Sequence, residues 1–463
     1  MKDKVLIANR GEIALRIMEA CELLGLDYVA VYTKEDEESL HVRLAKKKYR
    51  ISDYRDMNDL LAVADEERCT AIHPGYGFLS ENYRFARRVV KRERPLIWIG
   101  PSWEAIRDLG NKLYMKKVAH QLGIPIIPGS IEPIYNEIEA EFKAQEILEQ
   151  AQEEGFQEVS FLVKAVAGGG GMGIEEVKNL EEIRPVFRKI RAYAKRLFGD
   201  EGVIIEIKIP LFQHIEVQLL GSKHGEYVHF GTRNCTIQSP FRQKRIELAP
   251  GFYQRGQYNF DPAQIEAEII QHSLNLAKHF NYDSVGTFEW LVTPDGKYYL
   301  MEVNTRIQVE NEISAKISFV NDKPVNLLKE QIRVAFNEKL GYSQRDIEFR
   351  GMSLEFRLIA EDTKKGFTPL SGVITKFDYK EHPWLTMRTH VPRDKSYTIP
   401  TQFDPNLALA IIYGENFETL IARSKQFLEE VVIEGHTFKG EPLITNTNFL
   451  KEKLNDVYQF LSI

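Results

Sequence analysis

The sequence predicts an α/β protein that opens on a doubly wound parallel sheet, and three observations carry that expectation. Val5-Leu6-Ile7-Ala8 is a short apolar run of the buried-strand type, residues 13–21 have the spacing of an amphipathic helix, and Tyr28-Val29-Ala30-Val31-Tyr32 is a second buried run. Strand, helix and strand at this separation put the two strands parallel, because a parallel pair needs a crossover of about that length. The 463 residues suffice for two or three domains with a substantial core.

Composition excludes several function classes. Lys plus Arg number 61 against 67 Asp plus Glu, a net charge of −6, so nothing is basic enough to imply nucleic acid as a partner. Cys21, Cys69 and Cys235 are widely separated, form no metal-ligand pair and suit a reducing compartment. Met1-Lys2-Asp3-Lys4 leads directly into the first strand, with no signal-peptide pattern and no apolar run of membrane-spanning length, so the sequence reads as cytoplasmic. It has no internal repeat.

The chain is organised around residues 302–310, Glu-Val-Asn-Thr-Arg-Ile-Gln-Val-Glu. Read as an extended strand, Glu302, Asn304, Arg306, Gln308 and Glu310 share one edge. Upstream, Val285 to Leu291 and Lys297 to Met301 flank Thr293-Pro294-Asp295-Gly296, a hairpin signal. An unbulged pairing through a two- or four-residue loop then puts Glu289 on the same face as Glu302. Two carboxylates beside an amide carbonyl suit Mg²⁺, which keeps phosphate oxygens as its other ligands. A polar strand edge is commonly only solvated, but these flanks are apolar on both faces, and charges at the end of a buried strand need a partner or a task.

Further along, Phe161 to Ala167 is a buried strand carrying Lys164, followed by five glycines in the six positions 168–173. A loop without Cβ atoms lets backbone N–H groups reach phosphate oxygens, which reads as a mobile lid over a nucleotide. Gly110-Asn111-Lys112 begins a connecting helix, and residues 132–160, rich in Glu, Gln and Ala, read as a solvated helix over 134–152.

Taken together these runs resemble the biotin-carboxylase branch of the ATP-grasp enzymes. Residues 302–310 match E-x-N-x-R-I-Q-V-E letter for letter, and the opening run, His73-Pro74-Gly75-Tyr76-Gly77-Phe78-Leu79-Ser80-Glu81-Asn82, residues 232–238, Gln243-Lys244 and residues 350–357 extend the likeness over the chain. The resemblance implies an N-terminal doubly wound domain (1–109), a helical linker (110–128), an ATP-grasp lid (129–209), an ATP-grasp catalytic domain (210–340) and a C-terminal α+β domain (341–463). It implies ATP contacts from Lys112, Lys164, Gly168, Gly169, Gly170, Gly171, Gly173, Glu206, the backbone at Lys208 and Ile209, His214, Gln238 and Arg242. Glu289, Glu302 and Asn304 would hold Mg²⁺. Lys244 and Arg306, completed by Gln308 and the Val309 backbone, would hold bicarbonate, with Glu310 as proton acceptor. Tyr76, Gly77 and Arg357 would lie at biotin. Lys244, Arg306 and Glu310 form the expected catalytic set.

The chain also departs from the family pattern. Met172 stands where an arginine is usual, Arg242 where a histidine is expected, Ala315 where H-P-V-T-E ends in a carboxylate, and Leu409 where a lysine is common. The expected reaction is carboxylation of biotin with ATP and bicarbonate. No Ala-Met-Lys-Met-type site occurs, so biotin would arrive on a separate carrier protein, with a carboxyltransferase elsewhere and a homodimer as in relatives. Two other readings stand beside this one. A carboxylate-amine ATP-grasp ligase has no need of residues 306–310, and a weakened paralogue could serve as a regulatory or scaffold subunit.

Overall fold

The computed structural model describes residues 2–166, 173–239, 243–253 and 256–460. They form two compact units, one built from Met1–Gly110, Gln213–Glu289 and Val303–Ile463, the other from Asn111–Phe212 and Trp290–Glu302.

The first unit opens as the sequence predicts. Its parallel sheet has the order Lys48–Arg50, Asp27–Tyr32, Lys4–Ile7, Ala71–His73, Ile97–Trp98. Val5, Leu6 and Ile7 are fully buried because helices cover both faces. The helix runs Gly11–Leu23, a little longer at both ends than its apolar spacing indicated. Strand order reverses beside Lys4–Ile7, and in such sheets ligands bind past the carboxyl ends of the strands at the reversal. There Asn9 donates through Nδ2 to the carbonyls of Pro74 (2.6 Å) and Tyr76 (2.7 Å). Gly75 sits at φ +63°, and a Cβ on it would come within 2.7 Å of Asn9 Nδ2, so the turn requires glycine.

A second, largely antiparallel sheet runs Val285–Val292, Gln213–Gly221, Tyr227–Gln238, Lys244–Ala249, Met352–Ile359, Asn406–Gly414, Leu385–Thr389. Lys244–Ala249 pairs with Met352–Ile359, so the sheet continues unbroken from the central segment into the C-terminal one. Alternation sorts its two faces. Ile246, Leu354, Phe356 and Leu358 pack on one face among Phe427 and Leu454 of the helices Phe417–Glu430 and Thr447–Phe460. Ala249, Leu409 and Ile411 pack on the other against Ile313 and Ile317 of the short helix Asn311–Ile317. Asn311–Ile317 thus rides on the face that also carries Glu247, Glu355 and Arg357.

In the second unit a sheet ordered Ile174–Val177, Phe161–Ala165, Val203–Ile207 packs against helices Glu137–Glu153 and Ile183–Phe198. The expected solvated helix over 134–152 is corrected on two counts. It begins at Glu137, capped by the Asn136 side chain, because Ile134 is drawn into backbone hydrogen bonds with Val203. It also buries Ala140, Ala144, Ile147 and Ala151 at three- and four-residue spacing, so only its other face meets solvent. The turn at 293–296 forms as predicted: the Thr293 N–H donates to Lys297 (2.8 Å) and the Gly296 N–H to Thr293 (2.9 Å). Among the described residues no helix is long and apolar enough to cross a membrane.

Replacing Asn9 by Ala leaves two buried carbonyls without their donor, which costs about 1–3 kcal/mol. The expected outcome is an unfolding free energy in urea lowered by that amount; an unchanged value would show that the turn holds without Asn9.

Candidate active site

The polar centre of the first unit is built around one ammonium. Lys244 Nζ lies 2.7 Å from Glu310 Oε1 and 3.5 Å from Glu289 Oε1, and it is also paired with Glu216. Burial works against its charge, but Glu216, Glu289 and Glu310 hold its pKa well above the usual lysine value. Glu289 accepts through Oε1 from Asn304 Nδ2 (2.6 Å) and Gln308 Nε2 (3.0 Å), while its Oε2 lies 2.9 Å from His214 Nε2. The other ring nitrogen of His214 is 2.9 Å from Gln238 Nε2. His214, Gln238, Lys244, Glu289, Asn304, Gln308 and Glu310 are therefore linked through direct contacts.

Glu310 is nearly fully buried at the N-terminus of helix Asn311–Ile317. Burial would raise its carboxyl, but Lys244 and then Arg357, whose Nη2 donates to Oε2 at 3.1 Å, outweigh it and bring the pKa down to about 2. Glu289 lies well below the usual carboxylate range for the same reason, burial being overcome by Lys244 and His214.

The strand expected through Glu310 is corrected. It ends at Asn304, because the Thr305 N–H turns to Glu81 and because Ile307 and Gln308, adjacent in sequence, are both buried, which an alternating strand forbids. Arg306 accordingly does not share an edge with Glu310. It donates through Nε to Glu81 Oε2 (3.0 Å), through Nη1 to the Ile307 carbonyl (3.1 Å) and through Nη2 to Asn304 Oδ1 (3.1 Å). Among the described residues it is linked to Lys244 by hydrogen bonds and ion pairs through Asn304 and Glu289. Val309 packs its side chain on the apolar cluster of Ala249, Ile313 and Leu409. Tyr76 donates its hydroxyl to Glu12 Oε1 (2.5 Å), and Gly77 holds φ +64° in the turn beyond the first sheet.

Sequence reasoning missed three supports in this unit. Arg233, fully buried, pairs with Glu216 Oε2 (2.8 Å) and donates to Gln218 Oε1 (2.8 Å), Ser314 Oγ and Thr287 Oγ1 (both 3.2 Å) and to Gln308 Oε1. Its place in the 232–238 run was the available signal. Glu81 likewise lies inside the His73–Asn82 run and Glu216 two residues beyond His214, but neither was assigned a role. At Ala315 the expected carboxylate is absent, yet Glu312, on the same helix, pairs with Arg388 Nη2 (2.7 Å) and Arg16 Nη2 (3.4 Å).

The second unit gathers the other expected residues. Glu206 is buried between Lys116 Nζ (2.5 Å) and Lys164 Nζ. Burial would push its carboxyl up, but the two ammoniums bring it down to about 2. Lys116, inside the helix predicted to begin at Lys112, was assigned no role from the sequence. Lys112 Nζ is 2.5 Å from Glu302 Oε2. The Lys208 N–H donates to the Ser160 carbonyl (2.8 Å), its ammonium pairs with Glu176 (2.6 Å), and Ile209 is buried in the apolar core. Gly173, at φ +72°, accepts from the Ala165 N–H (2.8 Å). Gly168, Gly169, Gly170, Gly171, Met172 and Arg242 lie outside the described residues.

Lysines paired with buried glutamates and a carboxylate–amide cluster fit an ATP-grasp ligase, and the comparisons agree. Family models match residues 1–106 (biotin carboxylase, N-terminal domain), 111–343 (carbamoyl-phosphate synthase L chain, ATP binding domain) and 355–457 (biotin carboxylase C-terminal domain). A biotin carboxylase of Nostoc sp. is 37% identical over 442 residues, covering 94% of this chain and 92% of the relative. The 2-oxoglutarate carboxylase small subunit of Hydrogenobacter thermophilus is also 37% identical over 442 residues, with 94% and 88% covered. A solved biotin carboxylase domain dimer of that 2-oxoglutarate carboxylase, in complex with MgADP, ADP and bicarbonate, superposes at TM-score 0.84 and 34% identity over 99% of this chain and 96% of that one. The chain belongs to the biotin carboxylase family.

Because the folded pKa of Glu206 lies below its ordinary 4.5, its stabilisation is present above that value and lost as pH falls toward about 2. Glu206→Gln, which takes the carboxylate away from the buried Lys116 ammonium and from the half-buried Lys164, is expected to cost about 3–5 kcal/mol near neutral pH in urea unfolding. The gap to wild type should narrow at about pH 3, and a pH-independent gap would contradict the pairing.

Proposed function

We propose that the chain carboxylates biotin with ATP and bicarbonate and that Lys244, Arg306 and Glu310 carry the chemistry. The observation that supports this most is the carboxylate of Glu310, held ionised between two cations, Lys244 and Arg357, at 2.7 and 3.1 Å. Bicarbonate surrenders its proton reluctantly, and a carboxylate so clamped is a weak base. Binding the anion to Lys244 and Arg306 draws Lys244 off Glu310, which raises the basicity of Glu310 where the proton is to be removed. The deprotonated anion attacks the γ-phosphorus, carboxyphosphate forms and ADP leaves. Carboxyphosphate then releases CO₂, the phosphate takes the biotin N–H proton, Arg306 stabilises the enolate oxygen, and the biotin nitrogen attacks the CO₂ to give carboxybiotin and inorganic phosphate. Gln308 and the Val309 backbone complete the anion site, and Tyr76, Gly77 and Arg357 flank biotin.

Lys112, Lys164, Glu206, Lys208, Ile209, His214, Gln238 and the glycines of 168–173 serve ATP in this reading, with Lys116 keeping Glu206 ionised. Glu289, Glu302 and Asn304 offer hard oxygen donors, and the strongly lowered pKa of Glu289 suits a divalent cation. Mg²⁺ bound there would neutralise charge on the phosphates.

The biotin would come on a separate carrier protein, with a carboxyltransferase subunit completing a cytoplasmic acyl-CoA or 2-oxo-acid carboxylase, and two copies of this chain forming a homodimer. The dimeric biotin carboxylase domain of the Hydrogenobacter 2-oxoglutarate carboxylase supports the last point.

ADP release measured with free biotin, with and without bicarbonate, tests the reading. Turnover should require both; turnover that instead needs an added amine would make the chain a carboxylate-amine ligase. Glu310→Gln should lower kcat by about 10³-fold with ADP affinity retained. Lost nucleotide binding would show the role of Glu310 to be structural.

A further inference from the structure

Behind Glu310 lies a second charged cluster that the reaction as described does not use. Glu247 on Lys244–Ala249 and Glu355 on Met352–Ile359 face each other directly across the antiparallel pair, both fully buried. Glu247 Oε1 is 2.6 Å from Arg357 Nη2, and Glu355 Oε1 is 3.9 Å from Arg357 Nε. Neither carboxyl accepts a well-aligned hydrogen bond from any described group. The strand on the other side brings no charge: Leu409 is opposite Arg357 and Ile411 opposite Glu355. Ile313 and Ile317 of the covering helix are apolar too.

Among the described residues, the other ionisable groups acting here are Glu310 on all three, Lys244 and Cys235 toward Glu247, Arg16 toward Glu355 and Asp404 toward Arg357. Lys244 is already shared by Glu216, Glu289 and Glu310. One guanidinium, also bound to Glu310, therefore stands between two adjacent buried carboxyls, and two unshielded anions at cross-strand distance cannot both ionise.

We propose that Glu247 and Glu355 share one proton and act as a positioning pair, the proton setting how Arg357 divides its guanidinium between them and Glu310. With the proton in place the pair carries a single charge, and Arg357 can reach Glu310. When the proton is lost to solvent at higher pH, the second charge pulls Arg357 back from Glu310 and from biotin. This rests on the role given to Glu310 above. In keeping with it, burial and then Glu247 raise Glu355 well above the usual carboxylate range, and burial brings Glu247 up to about 7 against the pull of Arg357.

The test is infrared difference spectroscopy of the wild-type chain titrated through neutral and alkaline pH in H₂O and D₂O, paired with the pH dependence of kcat in wild type, Glu355→Gln and Glu247→Gln. The wild type should show the carbonyl band of a protonated carboxylic acid near neutral pH, shifted in D₂O and lost as pH rises. One or both Gln variants should lack it. A kcat limb that falls at alkaline pH should move upward by about one unit or more in Glu355→Gln, a displacement that lost packing alone would not produce. A wild-type spectrum without the band, or a band that persists in both variants, overturns the proposal. The band is read without turnover, so it stands or falls apart from the assignment of Glu310.

Discussion

The structure turns on one buried ammonium. Lys244 sits among Glu216, Glu289 and Glu310, and its charge can be kept from water only because those carboxylates surround it. Each carboxylate in turn needs its own support. Glu216 has Arg233, Glu289 has Asn304, Gln308 and His214, and Glu310 has Arg357. Removing Lys244 would strip three buried carboxylates of the cation they share, so the cluster is held together by mutual need rather than by net gain from each pair.

That constraint shapes the fold around it. Lys244, Glu216, Arg233 and Arg357 come from four strands of one sheet, and alternation puts Glu247, Glu355 and Arg357 on one face and Ile246, Leu354 and Phe356 on the other. The helix Asn311–Ile317 lies across the charged face and carries Glu310 at its start. Glu312 ties that helix to Arg16 and Arg388, so the first sheet's helix Gly11–Leu23 also fixes where Glu310 points. The site is thus a rigid sheet surface clasped from above, an arrangement suited to placing a proton acceptor beside an anion.

The sequence made part of this legible. Local signals carried the opening parallel sheet, the Asp-Gly hairpin and the helix at Lys112, because caps, turns and apolar spacing act within a few residues. The residues at 302–310 announced the site through their pattern of acids, amide and guanidinium. What the pattern concealed was the path of the chain. Alternation suggested a strand to Glu310, but Ile307 and Gln308 are both drawn inward, which only the packed structure reveals. Arg233, Lys116 and the Glu247–Glu355 pair escaped for a related reason. Their meaning depends on cross-strand register and on partners far away in sequence. Leu409 shows the same limit from the other side: read as a lost lysine, it proves to be a fully buried core residue opposite Arg357.

The central claim is that bicarbonate, with its proton taken by Glu310, attacks the γ-phosphorus of ATP. Turnover in ¹⁸O-labelled bicarbonate with biotin and ATP, followed by mass spectrometry of the inorganic phosphate, reports that step directly. The account predicts one labelled oxygen in each phosphate released, carried over through carboxyphosphate. Phosphate without label would mean that water attacks ATP instead, and the proposed role of Lys244, Arg306 and Glu310 would be contradicted.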